Sequence, residues 1–144
     1  MRNILTLIFC ILCLVLEILG FLFVALNYGS ACIQAGEITE NAYAYMILIY
    51  AVATSDLFYT TVVWFLPGAA LRDFIFVYHI GALVVSLAGS IAIFAGLTFC
   101  GNAAQVFFFL AGLVGVVAAV FHAVIALIVR KKLPVTSKFS KGHT

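Results

Sequence analysis

The sequence predicts an all-α integral membrane protein, a four-helix bundle with its N- and C-termini in the cytoplasm. Three observations carry this. The chain of 144 residues is 67% hydrophobic and only 8% charged, with a mean hydropathy of +1.30, far from the near-half apolar, quarter-charged make-up of soluble domains. Its apolar residues fall into four long segments. Its basic residues all fall on one side of the four-span arrangement.

The segments run over about Ile4–Leu26, Tyr43–Leu66, Phe74–Thr98 and Ala104–Val129. Each is long enough to cross a hydrocarbon core of ~30 Å as a helix at ~1.5 Å per residue. Lipid leaves only helices or closed barrels able to satisfy their backbone, and runs of this length are helical. Met1-Arg2-Asn3 ahead of the first run imitates a signal peptide. The run exceeds an ordinary signal core, so a retained first span is expected. The second segment is the most dilute, interrupted by Thr54, Ser55, Asp56, Thr60 and Thr61.

With four spans, the N-terminal end, the second connection and the C-terminal end share one side. Arg2, Arg72, Arg130, Lys131, Lys132, Lys138 and Lys141 all lie there, whereas Glu37 and Glu40 lie in the opposite loop. The positive-inside rule assigns the basic side to the cytoplasm. Residues 1–132 then form one four-span domain, and residues 133–144 a polar tail expected to be disordered. Arg130, Lys131 and Lys132 are placed to contact anionic lipid, at ~1 kcal/mol per charge, or to act as a simple stop-transfer anchor.

Short connections leave no room for an extramembrane catalytic domain. There is no glycine-rich phosphate loop, no His-Glu-x-x-His pair and no nucleophile elbow. The expectation is a protein that is not an enzyme and holds no catalytic, cofactor-binding or metal-binding residues. Nucleic acid is not an expected partner, because the basic residues form a membrane-side belt. Cys10 and Cys13 lie one turn apart in the first helix, where apolar packing is their expected role. Cys32 and Cys100 fall in the two outer loops, and the oxidising side of the secretory pathway makes them a candidate disulfide.

The informative positions are the polar residues inside the spans: Glu17, Asp56, His79 and His122. An ionisable group at mid-helix costs about 2.5–3.5 kcal/mol on insertion scales. The surrounding Leu, Ile, Phe and Val outweigh that cost, but the group still needs a polar partner. Counting depth from the cytoplasmic ends puts Glu17 and Asp56 near the midplane and both histidines in the cytoplasmic half. The depth argument therefore pairs Glu17 with Asp56 and His79 with His122. Helical spacing puts Cys10, Cys13, Glu17 and Gly20 on one face of the first span. His79 shares a face with Ala82, Ser86, Gly89 and Ser90, and His122 flanks the small stripe Ala111, Gly115, Ala119 and Ala123. Small residues let membrane helices approach closely, so these faces are expected in protein contact. Such polar groups act either as interhelical contacts or as a proton or ion path.

The same residues carry a family resemblance. The chain resembles the MARVEL-domain tetraspans, and most closely the myelin-and-lymphocyte (MAL) proteolipid branch. The first span reads "LVLEILGFLFVAL", with Glu17 followed closely by Gly20. The third reads "RDFIFVYHIGALVVSLAGS", with Asp73 and the Tyr78-His79 pair before a small-residue run. The fourth ends "AAVFHAVIALIVRKK", with His122-Ala123 ahead of the basic stop. The resemblance implies a role in membrane organisation. It implies association with cholesterol- and sphingolipid-rich membrane, in microdomain assembly, vesicle trafficking or junction organisation. Other membrane proteins, or a second copy of the chain, are implied partners, at the plasma membrane or in secretory-pathway vesicles. Two further readings stand beside it: a small proton or ion channel or transporter subunit using Glu17 and Asp56, and a subunit of a cell-junction complex.

Overall fold

The computed structural model describes residues 4–30, 33, 39–65, 72–97 and 104–131. They form four long helices: α1 (Ile4–Leu26), α2 (Thr39–Phe65), α3 (Arg72–Gly96) and α4 (Ala104–Lys131). All four are long and apolar enough to cross a membrane, which makes the chain a multi-pass membrane protein. No strand occurs among the described residues. The helices pack in a ring, α1 on α2, α2 on α3, α3 on α4 and α4 on α1, with the α3–α4 pairing the most extensive. That pairing joins the two stripes of small residues, as close approach requires.

The ends of the helices follow local chemistry. At the end of α1 the Asn27 side-chain amide donates to the Phe23 carbonyl at 2.9 Å, and the Asn27 and Tyr28 amides donate to Val24 and Ala25. Carbonyls left over by the last turn are thereby satisfied. Helix α2 begins at Thr39, ahead of the Tyr43 that hydropathy alone suggests. The Thr39 hydroxyl donates to the Ile33 carbonyl at 2.9 Å, and Glu40 sits in the first turn, where the helix dipole favours an acid. Its far end falls just short of Leu66-Pro67, where the proline disfavours a helical residue before it. At the other end of the chain, α4 runs past the expected Val129 to Lys131.

The dilute second span remains helical because its hydroxyls turn back on their own helix. Thr54 donates to the Tyr50 carbonyl, Ser55 to Ala51 and Thr61 to Leu57, each at 2.8 Å. These three side chains are exposed on the outside of the bundle yet bring no unsatisfied donor to lipid.

The interior has two apolar parts. Near the α1–α2 connection, Val24, Tyr45, Ile49, Ile93, Phe108 and Ala111 pack together. Near the chain termini, Cys10, Cys13, Tyr59, Ile125 and Val129 form a second cluster. In the first, the Tyr45 ring crosses the interior so that its hydroxyl donates to the Ala111 carbonyl at 2.7 Å. Gly20 lies directly beneath that hydroxyl, and a Cβ there would collide with it. Gly112 makes the close approach of α4 to α3, where a Cβ would stand 2.6 Å from the Phe94 ring.

Candidate functional site: a buried polar cluster joining four helices

The residues of interest lie on the inward stripes of their helices. The buried face of α1 is Thr6, Cys10, Cys13, Glu17, Gly20 and Val24, the 3–4 spacing of a single stripe. Asp56 lies between Ala53 and Tyr59 on the buried face of α2. On α3 the buried run is His79, Ala82, Ser86, Gly89, Ser90 and Ile93. On α4 it includes Ala111, Gly115, Ala118, Ala119 and His122, with Ala123 only half-buried. Glu17, Asp56, His79 and His122 are all 0% exposed.

His122 is the centre of the arrangement. Its Nε2 lies 2.8 Å from Glu17 Oε1 and 3.8 Å from Asp56 Oδ2. Its Nδ1 lies 2.9 Å from His79 Nδ1, so one of the two rings donates to the other. His79 Nε2 in turn faces Cys10 Sγ at 4.0 Å. The Tyr78 hydroxyl donates to Asp56 Oδ1 at 2.5 Å. The Cys13 thiol donates weakly to the Ala118 carbonyl at 3.9 Å. Aromatic rings wall the terminal side: Tyr59 stacks on Tyr78 at 5.2 Å and stands edge-on to His79 at 5.2 Å. Glu17 Oε2 and Asp56 Oδ2 are buried without a hydrogen-bond partner among the described residues.

Depth counting gives two separate pairs, and the structure places them in one cluster. His79 and His122 do meet. Glu17 meets His122 rather than Asp56, and Asp56 meets Tyr78. The reason is reach: the long glutamate side chain and the imidazole ring together span the step in depth between Glu17 and His122.

Two contributors were not among the sequence candidates. Cys13 packs in the terminal apolar cluster, as expected, and also lies beside Asp56 and His122 of the polar cluster. The available signal is the spacing Cys10-Ile11-Leu12-Cys13 followed by Glu17, a Cys-x-x-Cys whose second cysteine is one turn before an acid on the same face. Tyr78 is the other: it stands in the sequence only as half of a resemblance, and its contact with Asp56 is a tertiary fact. Arg130 is exposed at the end of α4. Lys132, Cys32 and Cys100 lie outside the described residues, as do the tail from 133 onward and most of the short connection after α2.

On the outside of this cluster, a groove between α2 and α3 is lined by Thr54, Ser55, Phe58, Tyr59, Phe74 and Tyr78. Tyr78 is thus shared: it lines the groove and touches Asp56. Chemically, the cluster offers imidazole, carboxylate and thiol groups in an enclosed setting. It can fix helices through hydrogen bonds, pass a proton between neighbours, or hold a cation with Cys13, Asp56 and His122. No family model, curated protein or solved structure matches the chain.

Proposed function

We propose that this chain is a non-enzymatic membrane-organising tetraspan of the MARVEL type, closest to the MAL proteolipid branch. It acts in microdomain assembly, vesicle trafficking or junction organisation. The observation that carries this reading is the division of the molecule. Each of the four helices sends one ionisable side chain, Glu17, Asp56, His79 or His122, to one enclosed cluster, while their outer faces present Ile8, Val15, Ile47, Phe58, Val84 and Phe109 among many exposed apolar side chains. A bundle locked from within and apolar outside is built to be solvated by lipid and to associate laterally. Both termini are cytoplasmic in this reading, and the residence is the plasma membrane or secretory vesicles. The basic run at Arg130, Lys131 and Lys132 contacts the anionic leaflet. Purified, labelled protein in phase-separating giant vesicles tests it: enrichment in the cholesterol- and sphingolipid-rich phase is expected, and exclusion from that phase sinks the reading.

A second reading is supported by the contiguous contacts from Tyr78 through Asp56 and His122 to Glu17 and His79. Such a string suits a proton-handling subunit. It calls for pH-driven flux in proteoliposomes that falls in Glu17→Gln. Absence of flux in well-folded wild-type protein returns the cluster to a structural role.

A further inference from the structure

We propose that the buried cluster is a binding site for a borderline-soft divalent transition-metal ion, with Zn2+ as the best match, held by Cys13, Asp56 and His122 with Glu17 alongside. The proposal stands independently of the membrane-organising reading.

The ligand set comes first. One sulfur of Cys13, one carboxylate oxygen of Asp56 and one ring nitrogen of His122 lie within 4.8 Å of one another, and all three residues are buried. A tetrahedral zinc site has metal–ligand distances of about 2.0–2.3 Å, hence ligand atoms roughly 3.3–3.8 Å apart. The 3.8 Å between His122 Nε2 and Asp56 Oδ2 has to close by only a few tenths of an ångström to reach the roughly 3.3–3.5 Å of a nitrogen–oxygen pair. Glu17 Oε1 stands 2.8 Å from the same nitrogen, a hydrogen bond in the metal-free arrangement, and would have to swing aside from it to take the fourth position. Thiolate and imidazole select Zn2+ and its neighbours over Mg2+ and Ca2+, which take oxygen ligands.

The unpartnered atoms come second. Asp56 Oδ2 and Glu17 Oε2 are buried polar atoms with no hydrogen-bond partner among the described residues. A buried acceptor left this way is costly. A cation held by Cys13, Asp56 and His122 gives Asp56 Oδ2 the partner it lacks and places a positive charge beside Glu17.

The surrounding shell is also that of a metal site. Ligating histidines donate their second ring N–H to an outer partner, and ligating carboxylates are themselves hydrogen-bonded. With His122 Nδ1–H donating to His79 Nδ1, and His79 Nε2–H facing Cys10 Sγ, the His122 Nε2 lone pair serves the metal once the ion displaces the hydrogen bond between Nε2 and Glu17 Oε1. The Tyr78 hydroxyl holds Asp56 Oδ1 and leaves Oδ2 for coordination. Cys13 coordinates as thiolate, and its proton and those of any protonated carboxyls leave as the ion binds. Tyr78 both holds Asp56 and lines the α2–α3 groove.

Co2+ is the probe. Full-length protein in mild detergent is stripped with chelator and incubated overnight with Co2+. Expected are one ion per chain, the visible bands of tetrahedral Co2+ and a near-ultraviolet thiolate-to-cobalt charge-transfer band, all reversed by Zn2+. The charge-transfer band vanishes in Cys13→Ser and persists in a Cys32→Ser/Cys100→Ser double variant. Tyr78→Phe, a positioning change, weakens binding by about 10-fold or more while the bands keep their positions. Co2+ binding without the thiolate band, a band that depends on Cys32 or Cys100, or no binding by wild-type protein of native helicity each overturns the proposal. Because the decisive band is read on wild-type protein, a variant that fails to fold does not protect it.

Discussion

The two halves of the bundle solve the same packing problem in different ways. Near the α1–α2 connection, Tyr45, Ile49, Ile93 and Phe108 fill the interior, and the Tyr45 hydroxyl crosses it to the Ala111 carbonyl. Toward the chain termini, the interior holds Glu17, Asp56, His79 and His122 with two free cysteines, Cys10 and Cys13. In water the first kind of core is the stronger, since burial of apolar surface drives folding. In lipid that driving force is absent between helices, because acyl chains are as apolar as leucine. What the comparison teaches is that the aromatic half gives shape and the polar half gives registry. A shifted helix in the aromatic half loses some contacts, whereas a shifted helix in the polar half strands an acid or an imidazole.

The largest effect is therefore expected at His122. His122→Ala removes the group that touches Glu17, Asp56 and His79 together. Breaking a buried polar set by deleting one partner costs about 3–5 kcal/mol, yet replacing the whole set by apolar residues of similar volume is often neutral or better. Reversible unfolding in mixed micelles should show that loss for His122→Ala. It should show much of the stability regained when Glu17, Asp56, His79 and His122 are all replaced by leucine or methionine. Equal losses in the two variants would mean that the cluster contributes packing alone.

A smaller loss is expected in the aromatic half. Phe→Ala in a soluble core costs about 3–5 kcal/mol, part of it transfer from water and part the cavity. For Phe108→Ala in lipid only the packing part remains, so we expect about 1–2 kcal/mol in the same assay. A loss as large as that of His122→Ala would erase the distinction between the halves.

Much of this was legible in the sequence, and the rest was not for identifiable reasons. Four spans follow from hydropathy and length, and the inward stripes of α1, α3 and α4 follow from the 3.6-residue period acting on rare polar and small residues among Leu, Ile and Val. Helix α2 is harder to read: its Thr and Ser residues look like an inward polar face, yet Thr54, Ser55 and Thr61 face outward and bond to their own backbone. Depth along a helix can be counted to within about a turn. That is enough to bring His79 to His122, but it cannot choose between Asp56 and His122 as the neighbour of Glu17. Which side chain reaches across the ring depends on helix rotation and rotamer, neither of which one sequence states. The same limit hides Cys13: its spacing to Glu17 is local, but Asp56 and His122, the other members of its group, lie on two different helices.

The finest test of the aromatic half is the meeting of Gly20 with Tyr45. Gly20→Ala drives a methyl into the Tyr45 hydroxyl, which is pinned to Ala111 and has a buried, rigid ring behind it. Overpacking of this kind costs about 1–3 kcal/mol. Tyr45→Phe alone removes one interhelical hydrogen bond, and such bonds in membranes average about 0.6 kcal/mol. The Ala111 carbonyl also keeps its own helical position, so little else is lost. The two changes together should not add. Without the hydroxyl, the nearest ring atom to the new methyl is Tyr45 Cζ at 3.5 Å, an ordinary contact. A double-mutant cycle should therefore give a favourable coupling of about 1–2 kcal/mol, with the double variant more stable than Gly20→Ala alone. Strict additivity would place the glycine's role elsewhere, in the general approach of α1 to its neighbours rather than in one hydroxyl's path across the core.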